Sequence, residues 1–345
     1  MIPATTLGRQ PATVSTWQQE LAGAITDPQA LAHALDLDPA LFPAAATAAA
    51  RFRLRVPLSF VARMRRGDPA DPLLRQVMPT AAELADAAGF GPDPLAEDDS
   101  FRAPGLLQKY RGRALLIATG ACAVNCRYCF RREFPYAEQV GAGALRQALD
   151  AIAADASIEE VILSGGDPLS LSDARLHAIG GELARIAHIR RLRVHTRLPV
   201  VLPSRVDAGL AQWLRGLPWP VAMVLHSNHG NEIDDEVRAA CARLRAAGVT
   251  LLNQAVLLRG VNDSVTALAD LSRRLFEAGV VPYYLHLLDR VRGAAHFEVP
   301  ATVARQLVGE LASSLSGYLV PRLVREVPGG PAKLPLEPLF PHWKM

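Results

Sequence analysis

The sequence predicts an α/β chain: a partial (β/α)6 barrel preceded by a helical extension. Three observations carry that prediction. Six near-continuous apolar runs follow Gly105, and each gives way to a segment whose apolar residues recur at helical spacing. No glycine-rich dinucleotide motif opens the series, which favours a partial barrel over a Rossmann sheet. The polar residues of this half collect just past the C-terminal ends of the runs, where barrels of parallel strands carry their chemistry.

Residues 1–105 read as helical. Ser15-Thr16-Trp17-Gln18 has the form of a capping box. Asp27 as N-cap with Pro28 at the first helical position opens a helix that runs to Leu37. Residues 80–88 form a further short helix candidate. From Gly89 to Gly105 the chain is loop-like, with Pro92, Pro94, Asp98, Asp99 and Pro104, and a domain boundary is placed there. The strands expected beyond it are 114–119, 160–164, 192–196, 221–226, 251–258 and 283–288. Helices are expected at 144–154, 173–187, 207–214, 233–247 and 265–278, then at 301–315, with a last short strand at 322–327. The expected division is thus an extension (1–105), the barrel (106–328) and a tail (329–345).

Half of the 345 residues are apolar, enough for a large core. Lys+Arg 37 against Asp+Glu 34 gives a net charge of +3 without a dense basic run, which argues against a nucleic-acid partner. No apolar stretch is long enough for a membrane span, and the N-terminus lacks the pattern of a signal peptide, so a cytoplasmic protein is expected.

Cys122, Cys126 and Cys129 stand as CxxxCxxC with an aromatic before the last cysteine. Three thiolates at that spacing hold three corners of an iron–sulfur cluster and leave one iron open for a ligand. The competing reading is a zinc site completed by a distant histidine. Cys241, in Ala-Ala-Cys-Ala, reads as a buried apolar residue inside a helix. Gly165-Gly166-Asp167 after the second run is either a tight turn or a place where backbone approaches a ligand closely. Basic residues are nearly all arginine; the lysines are Lys109, Lys333 and Lys344. A lysine retained in the Pro/Gly-rich tail at Lys333 points to a primary amine that arginine cannot replace, as a Schiff base with pyridoxal phosphate would require. The basic turn Lys109-Tyr110-Arg111-Gly112-Arg113 offers donors for its phosphate, or is merely a solvated turn.

CAVNCRYC resembles the signature of the radical S-adenosylmethionine (radical SAM) enzymes. Together with CAVNCRYCFRR, ILSGGDPL, TRLPVVLP, HSNHGNE, NQAVLLRGVND, PYYLHLLD, GAAHF and PGGPAK, the chain from about Gly105 to Pro335 resembles the lysine 2,3-aminomutase family, which joins radical SAM chemistry to pyridoxal phosphate. The resemblance implies a radical SAM barrel and a [4Fe-4S] cluster on Cys122, Cys126 and Cys129, whose open iron chelates S-adenosyl-L-methionine. It implies that Gly165, Gly166 and Asp167 hold the methionyl end of that cofactor, with Gln254 beside it; His226 and His229, at the end of the fourth run, are candidate contacts from their place near the same rim. Pyridoxal 5′-phosphate falls to Lys333, with its phosphate at Tyr110, Arg113 and Lys109, the last in place of the family's usual arginine. Arg131 is implied to pair with the substrate carboxylate, and Asp289 and Glu326 with the ε-ammonium of free L-lysine. Glu326 stands where the family usually has Asp. The implied reaction moves the amino group from Cα to Cβ after a 5′-deoxyadenosyl radical abstracts hydrogen; arginine is the alternative substrate. With twelve residues after Lys333, the chain resembles the short type that makes (R)-β-lysine for elongation factor P, which a separate lysyl ligase then modifies. An external electron donor such as flavodoxin is implied as well.

Overall fold

The computed structural model describes residues 16–340. Ten strands form one sheet in chain order. β1 (Phe101–Ala103) and β2 (Leu106–Tyr110) are antiparallel and lead into β3 (Arg113–Thr119). From there β4 (Glu160–Gly165), β5 (Arg191–Thr196), β6 (Val221–Leu225), β7 (Thr250–Val256), β8 (Val281–His286) and β9 (Arg322–Arg325) add as parallel neighbours. β10 (Leu334–Pro335) returns antiparallel on β9. Among the described residues no pairing joins β1 to β10, so the barrel is open.

The crossovers are the helices Ala142–Ala154, Asp173–Ala184, Ala208–Arg215, Asp235–Ala246 and Val265–Glu277, followed by Ala301–Ser314. Four of them begin at side-chain caps: Ser172, Asp207, Asp234 and Ser264 each accept a hydrogen bond from a first-turn amide that the helix itself leaves unpaired. Their buried stripes, for example Leu176, Ile179 and Leu183, cover the outer sheet face carried by Leu116, Leu163, Val194 and Leu225. Each such Leu or Val contributes about 1.5–3 kcal/mol by leaving water. Cys241 is fully buried in this layer, as its apolar neighbours imply.

The extension contains short helices, Trp17–Ala22, Pro28–Ala34, Ala45–Arg51, Leu58–Val61 and Pro72–Arg75, and a 3-10 turn at Ala81–Leu84. The first capping box is built by Thr16 and Gln19; Ser15, expected to start it, lies outside the described residues. The Asp27–Pro28 start is as expected, but the helix stops at Ala34 and the segment at 80–88 shrinks to a 3-10 turn at whose start Glu83 Oε1 accepts from Thr80 N at 3.1 Å. The boundary expected at 105 falls at the β1–β2 turn, where Gly105 has φ +76°. The core runs across it: Trp17, Leu31, Phe60 and Leu74 share one buried cluster with Leu163 and Val194.

Arg127, inside the cysteine loop, is fully buried. Its guanidinium grips Glu83 of the extension through Nε at 2.8 Å and Nη2 at 2.5 Å, and donates to the Phe52 carbonyl at 2.7 Å. The extension therefore fixes the loop that carries the cysteines.

Candidate active site

The pleat explains why distant residues meet. Side chains alternate faces along a strand, and paired residues of neighbouring strands share a face. The parallel register aligns Arg113 with Glu160, Ile117 with Ser164, Ile162 with Arg193, His195 with Val224, Leu252 with Val224, Gln254 with Tyr284 and Val256 with His286. Two-residue steps along these strands put Arg113, Ser164, His195, His226, Gln254, Tyr284 and His286 on one face, opposite the apolar face beneath the helices. Contacts agree with the register: His226 Nε2 lies 3.0 Å from Gln254 Nε2, the His195 and His226 rings are 6.0 Å apart, and the Tyr284 and His286 rings 5.6 Å.

The cysteine loop follows β3. Burial and the neighbouring Cys126 push the Cys129 thiol up to about 11, and burial with Cys129 raises Cys122 as well. Such thiols ionise when a metal centre takes the proton's place. Arg197, just past β5, is the matching cation: its Nη1 donates to Cys126 Sγ at 2.8 Å. Nη2 is anchored to Gln76 Oε1 at 2.7 Å and to Glu232 Oε2 at 3.0 Å. Gln76 belongs to the extension, so that segment reaches the cluster loop a second time. Among the described residues no three His, Cys, Asp or Glu side chains converge as ligands of one ion. A four-iron cluster asks for no such convergence, since each cysteine binds a different iron.

Gly165 and Gly166 are pressed onto the same loop. Gly166 N donates to Thr119 O at 2.7 Å and Asp167 N to Ala121 O at 2.8 Å. A Cβ on Gly166 would run into the Ala121 carbonyl oxygen, and Gly165 has φ +118°. Tyr136 Oη donates to the Gly165 carbonyl at 2.7 Å. The carboxylate of Asp167, expected beside the cofactor, turns inward. It accepts from Thr196 Oγ1 and from the amides of Leu169, Arg197 and Leu198 at 2.7–3.1 Å. Those donors occupy it fully, so Asp167 fixes the β4 and β5 ends relative to one another.

A chain of charges closes the open side. Arg131 is forked on Glu97, Lys109 lies 3.0 Å from both Glu97 and Glu326, and Lys333 Nζ is 2.7 Å from Glu326 Oε2. Burial disfavours the charge on Glu326, but Lys333 and Lys109 outweigh it and hold the carboxyl at about 2. Asp289 lies three residues past β8 and makes no side-chain hydrogen bond among the described residues; burial, then the Glu326 charge, pushes it up to about 7. Tyr110, stacked under the Arg113 guanidinium at 4.5 Å, has its phenol raised by burial and by Glu326. Lys333 Nζ sits 5.9 Å from the Tyr284 ring centroid. Burial, with Arg197 and Lys333 nearby, drops His226 to about 3, and His195 and His286 are lowered too, so the wall is neutral imidazole.

A radical SAM superfamily model matches residues 116–271. The chain is 51% identical to L-lysine 2,3-aminomutase of Escherichia coli strain K12 over 93% of its own length and 94% of that protein. It is 49% identical to the Haemophilus influenzae protein of the same name over 92% and 94%. With the Clostridium subterminale L-lysine 2,3-aminomutase it shares 38% identity over 84% of this chain and 70% of that one. The chain belongs to the radical SAM lysine 2,3-aminomutase family. It is an isomerase with the α/β partial barrel of that superfamily.

Radical SAM enzymes work with a four-iron cluster and S-adenosylmethionine, and the residues present fit both. Three thiols stand in one loop with a guanidinium on one of them. Arg197 Nε, His195 Nε2 and His286 Nε2 are buried polar atoms that no protein group among the described residues satisfies, as expected where a polar ligand completes the site. Of the residues expected from the sequence, the structure brings His226 against Gln254, Lys109 and Lys333 onto Glu326 with Asp289 nearby, Tyr110 under Arg113, and the three cysteines into one loop. Arg131 arrives already paired. Glu97, Gln76, His195 and His286 escaped sequence reading. An acidic loop residue looks solvated, and a histidine in an apolar strand looks like core.

Proposed function

We propose that this enzyme converts L-lysine to (R)-β-lysine, which a separate lysyl ligase attaches to elongation factor P in the cytoplasm. The observation that carries the substrate choice is Glu326, whose two oxygens each hold a lysine ammonium of the chain, with Asp289 beside it. A carboxylate pair shaped around lysine side chains suits the ε-ammonium of free lysine and repels a side-chain carboxylate. When bound, S-adenosylmethionine on the cluster supplies a hydrogen-abstracting radical, and pyridoxal phosphate held by Lys333 supplies an aldehyde for the substrate amine and a ring that delocalises an unpaired electron.

The chain's own residues do the rest. Tyr110, Arg113 and Lys109 gather at the β2–β3 turn as phosphate donors; Lys109 also offsets the Glu97 and Glu326 charges there. Arg131 presents its guanidinium to the substrate carboxylate. Asp289 releases its proton as the substrate ammonium arrives, since an opposite charge favours the ionised form. The inward-facing neutral imidazoles of His195, His226 and His286 keep the wall free of acidic protons, and the apolar packing behind them excludes water from a reactive radical. The electron enters from an external donor such as flavodoxin.

Anaerobically reconstituted enzyme given lysine, arginine and glutamate separately, with products resolved by chiral chromatography, tests this reading. (R)-β-Lysine from lysine alone is expected. β-Arginine as the main product, or no β-amino acid at all, sinks the substrate assignment, and (S)-β-lysine sinks the handedness. A mass increase of elongation factor P with enzyme, ligase and lysine, and none when the enzyme is left out, tests the destination.

A further inference from the structure

Arg131 leaves the cysteine loop with its guanidinium buried near two rings, 5.0 Å from the Phe130 centroid and 5.4 Å from that of Phe134. One edge is taken. Nε donates to Glu97 Oε2 at 2.7 Å and Nη2 to Glu97 Oε1 at 2.8 Å, a fork on a fork. Glu97 is itself buried, and Lys109 braces it from the other side at 3.0 Å. It is delivered by the 3-10 turn Glu97–Ser100, entered through Ala96 at φ +46°. A guanidinium has a second edge, Nη1–Nη2, in the same plane. There the only hydrogen bond among the described residues is Nη1 to Ser164 Oγ, long at 3.4 Å, and Ser164 lies on the inner face with His195.

We propose that Glu97 is a positioning residue that fixes the plane of Arg131, so that the free Nη1–Nη2 edge is aimed at the carboxylate of the amino-acid substrate. This rests on the role given to Arg131 above. Local charge supports it. Arg131, Lys109 and Lys333 bring three positive charges against two on Glu97 and Glu326, so a further carboxylate is attracted rather than repelled. Without Glu97 the guanidinium keeps its charge but loses the two bonds that set its plane.

The test uses full-length reconstituted enzyme with Glu97→Gln, Glu97→Asp and Arg131→Ala. Binding is read by calorimetry with L-lysine and with 1,5-diaminopentane, which lacks the carboxylate. Iron content and the cluster's electron paramagnetic resonance signal are recorded in parallel. Glu97→Gln is expected to weaken lysine roughly tenfold or more, in Kd and in KM, while kcat at saturation, diaminopentane affinity and the cluster signal stay near wild type. Glu97→Asp, which keeps the charge but shortens the reach, is expected to fall between. Equal weakening of lysine and diaminopentane, or an unchanged lysine Kd in Glu97→Gln, overturns the proposal. If Arg131→Ala also leaves lysine affinity unchanged, the reading of Arg131 falls with it; if Arg131→Ala weakens lysine and Glu97→Gln does not, only the role of Glu97 falls.

Discussion

Lys333 and Lys109 meet on one carboxylate: Glu326 Oε2 accepts from Lys333 Nζ at 2.7 Å and Oε1 from Lys109 Nζ at 3.0 Å. β10 pairing on β9 makes this meeting, because Leu334 lies opposite Arg325 and so brings Lys333 beside Glu326. The amine assigned to the aldehyde is thereby held at the mouth of the barrel.

Lys333→Arg separates amine chemistry from charge. Arginine keeps a cation on Glu326 but forms no Schiff base. β-Lysine formation is expected to vanish, together with borohydride-trappable pyridoxal phosphate, while iron content stays unchanged. Retained turnover would remove Lys333 from the chemistry.

Asp289 predicts a pH limb. With its carboxyl near 7 in the free enzyme, kcat/KM for lysine should rise as pH passes through about 7 and the ionised form accumulates. Asp289→Asn should abolish that limb and lower lysine affinity. The same shift costs stability: a raised carboxyl favours the fold below the unfolded value of about 3.9 and loses that advantage as pH rises through 7. Thermal midpoints of Asp289→Asn should therefore gain on wild type between pH 4 and 7.

Glu326 behaves in the opposite sense. Its carboxyl is depressed to about 2, so its ion pairs stabilise the fold above about 4.5 and fail as pH falls toward 2. Glu326→Gln should be less stable than wild type at pH 7, with the difference closing at pH 3, and its KM for lysine should rise roughly tenfold or more. A constant stability difference across that range would count against the pairs.

Gly166→Ala tests the link between the glycine segment and the cluster loop. The added methyl meets the backbone of Gly120 and Ala121 rather than a yielding side chain. A cost of about 1–3 kcal/mol in stability and reduced iron loading are expected. Full iron loading would show that the loop tolerates the displacement.

The six core strands were legible because each combines a long apolar run with a following helix. Boundaries slipped where the apolar pattern outlasts pairing: the run at 251–258 continues past the end of β7 at Val256. β1, β2 and β10 were missed since they are short edge pieces, and Lys109-Tyr110 looked like a solvated turn; pairing with β3 makes it the end of a strand. The cysteine triplet, the glycine pair and Lys333 were singled out by spacing and by one unusual residue choice.

Partner choice was not readable. Arg131 and Glu97 are 34 residues apart and Lys109 and Glu326 217 apart, and no local pattern couples either pair. By itself the sequence determined the order of the six core strands and their helices, the cysteine spacing and the isolated tail lysine, all set by neighbours within a few positions. Only the tertiary structure decided that Asp167 turns inward, that the extension reaches Cys126 through Gln76 and Arg197, and that Glu97 claims one edge of Arg131. Sheet register and burial select those contacts, because a buried charge must find its partner wherever the fold brings one within reach.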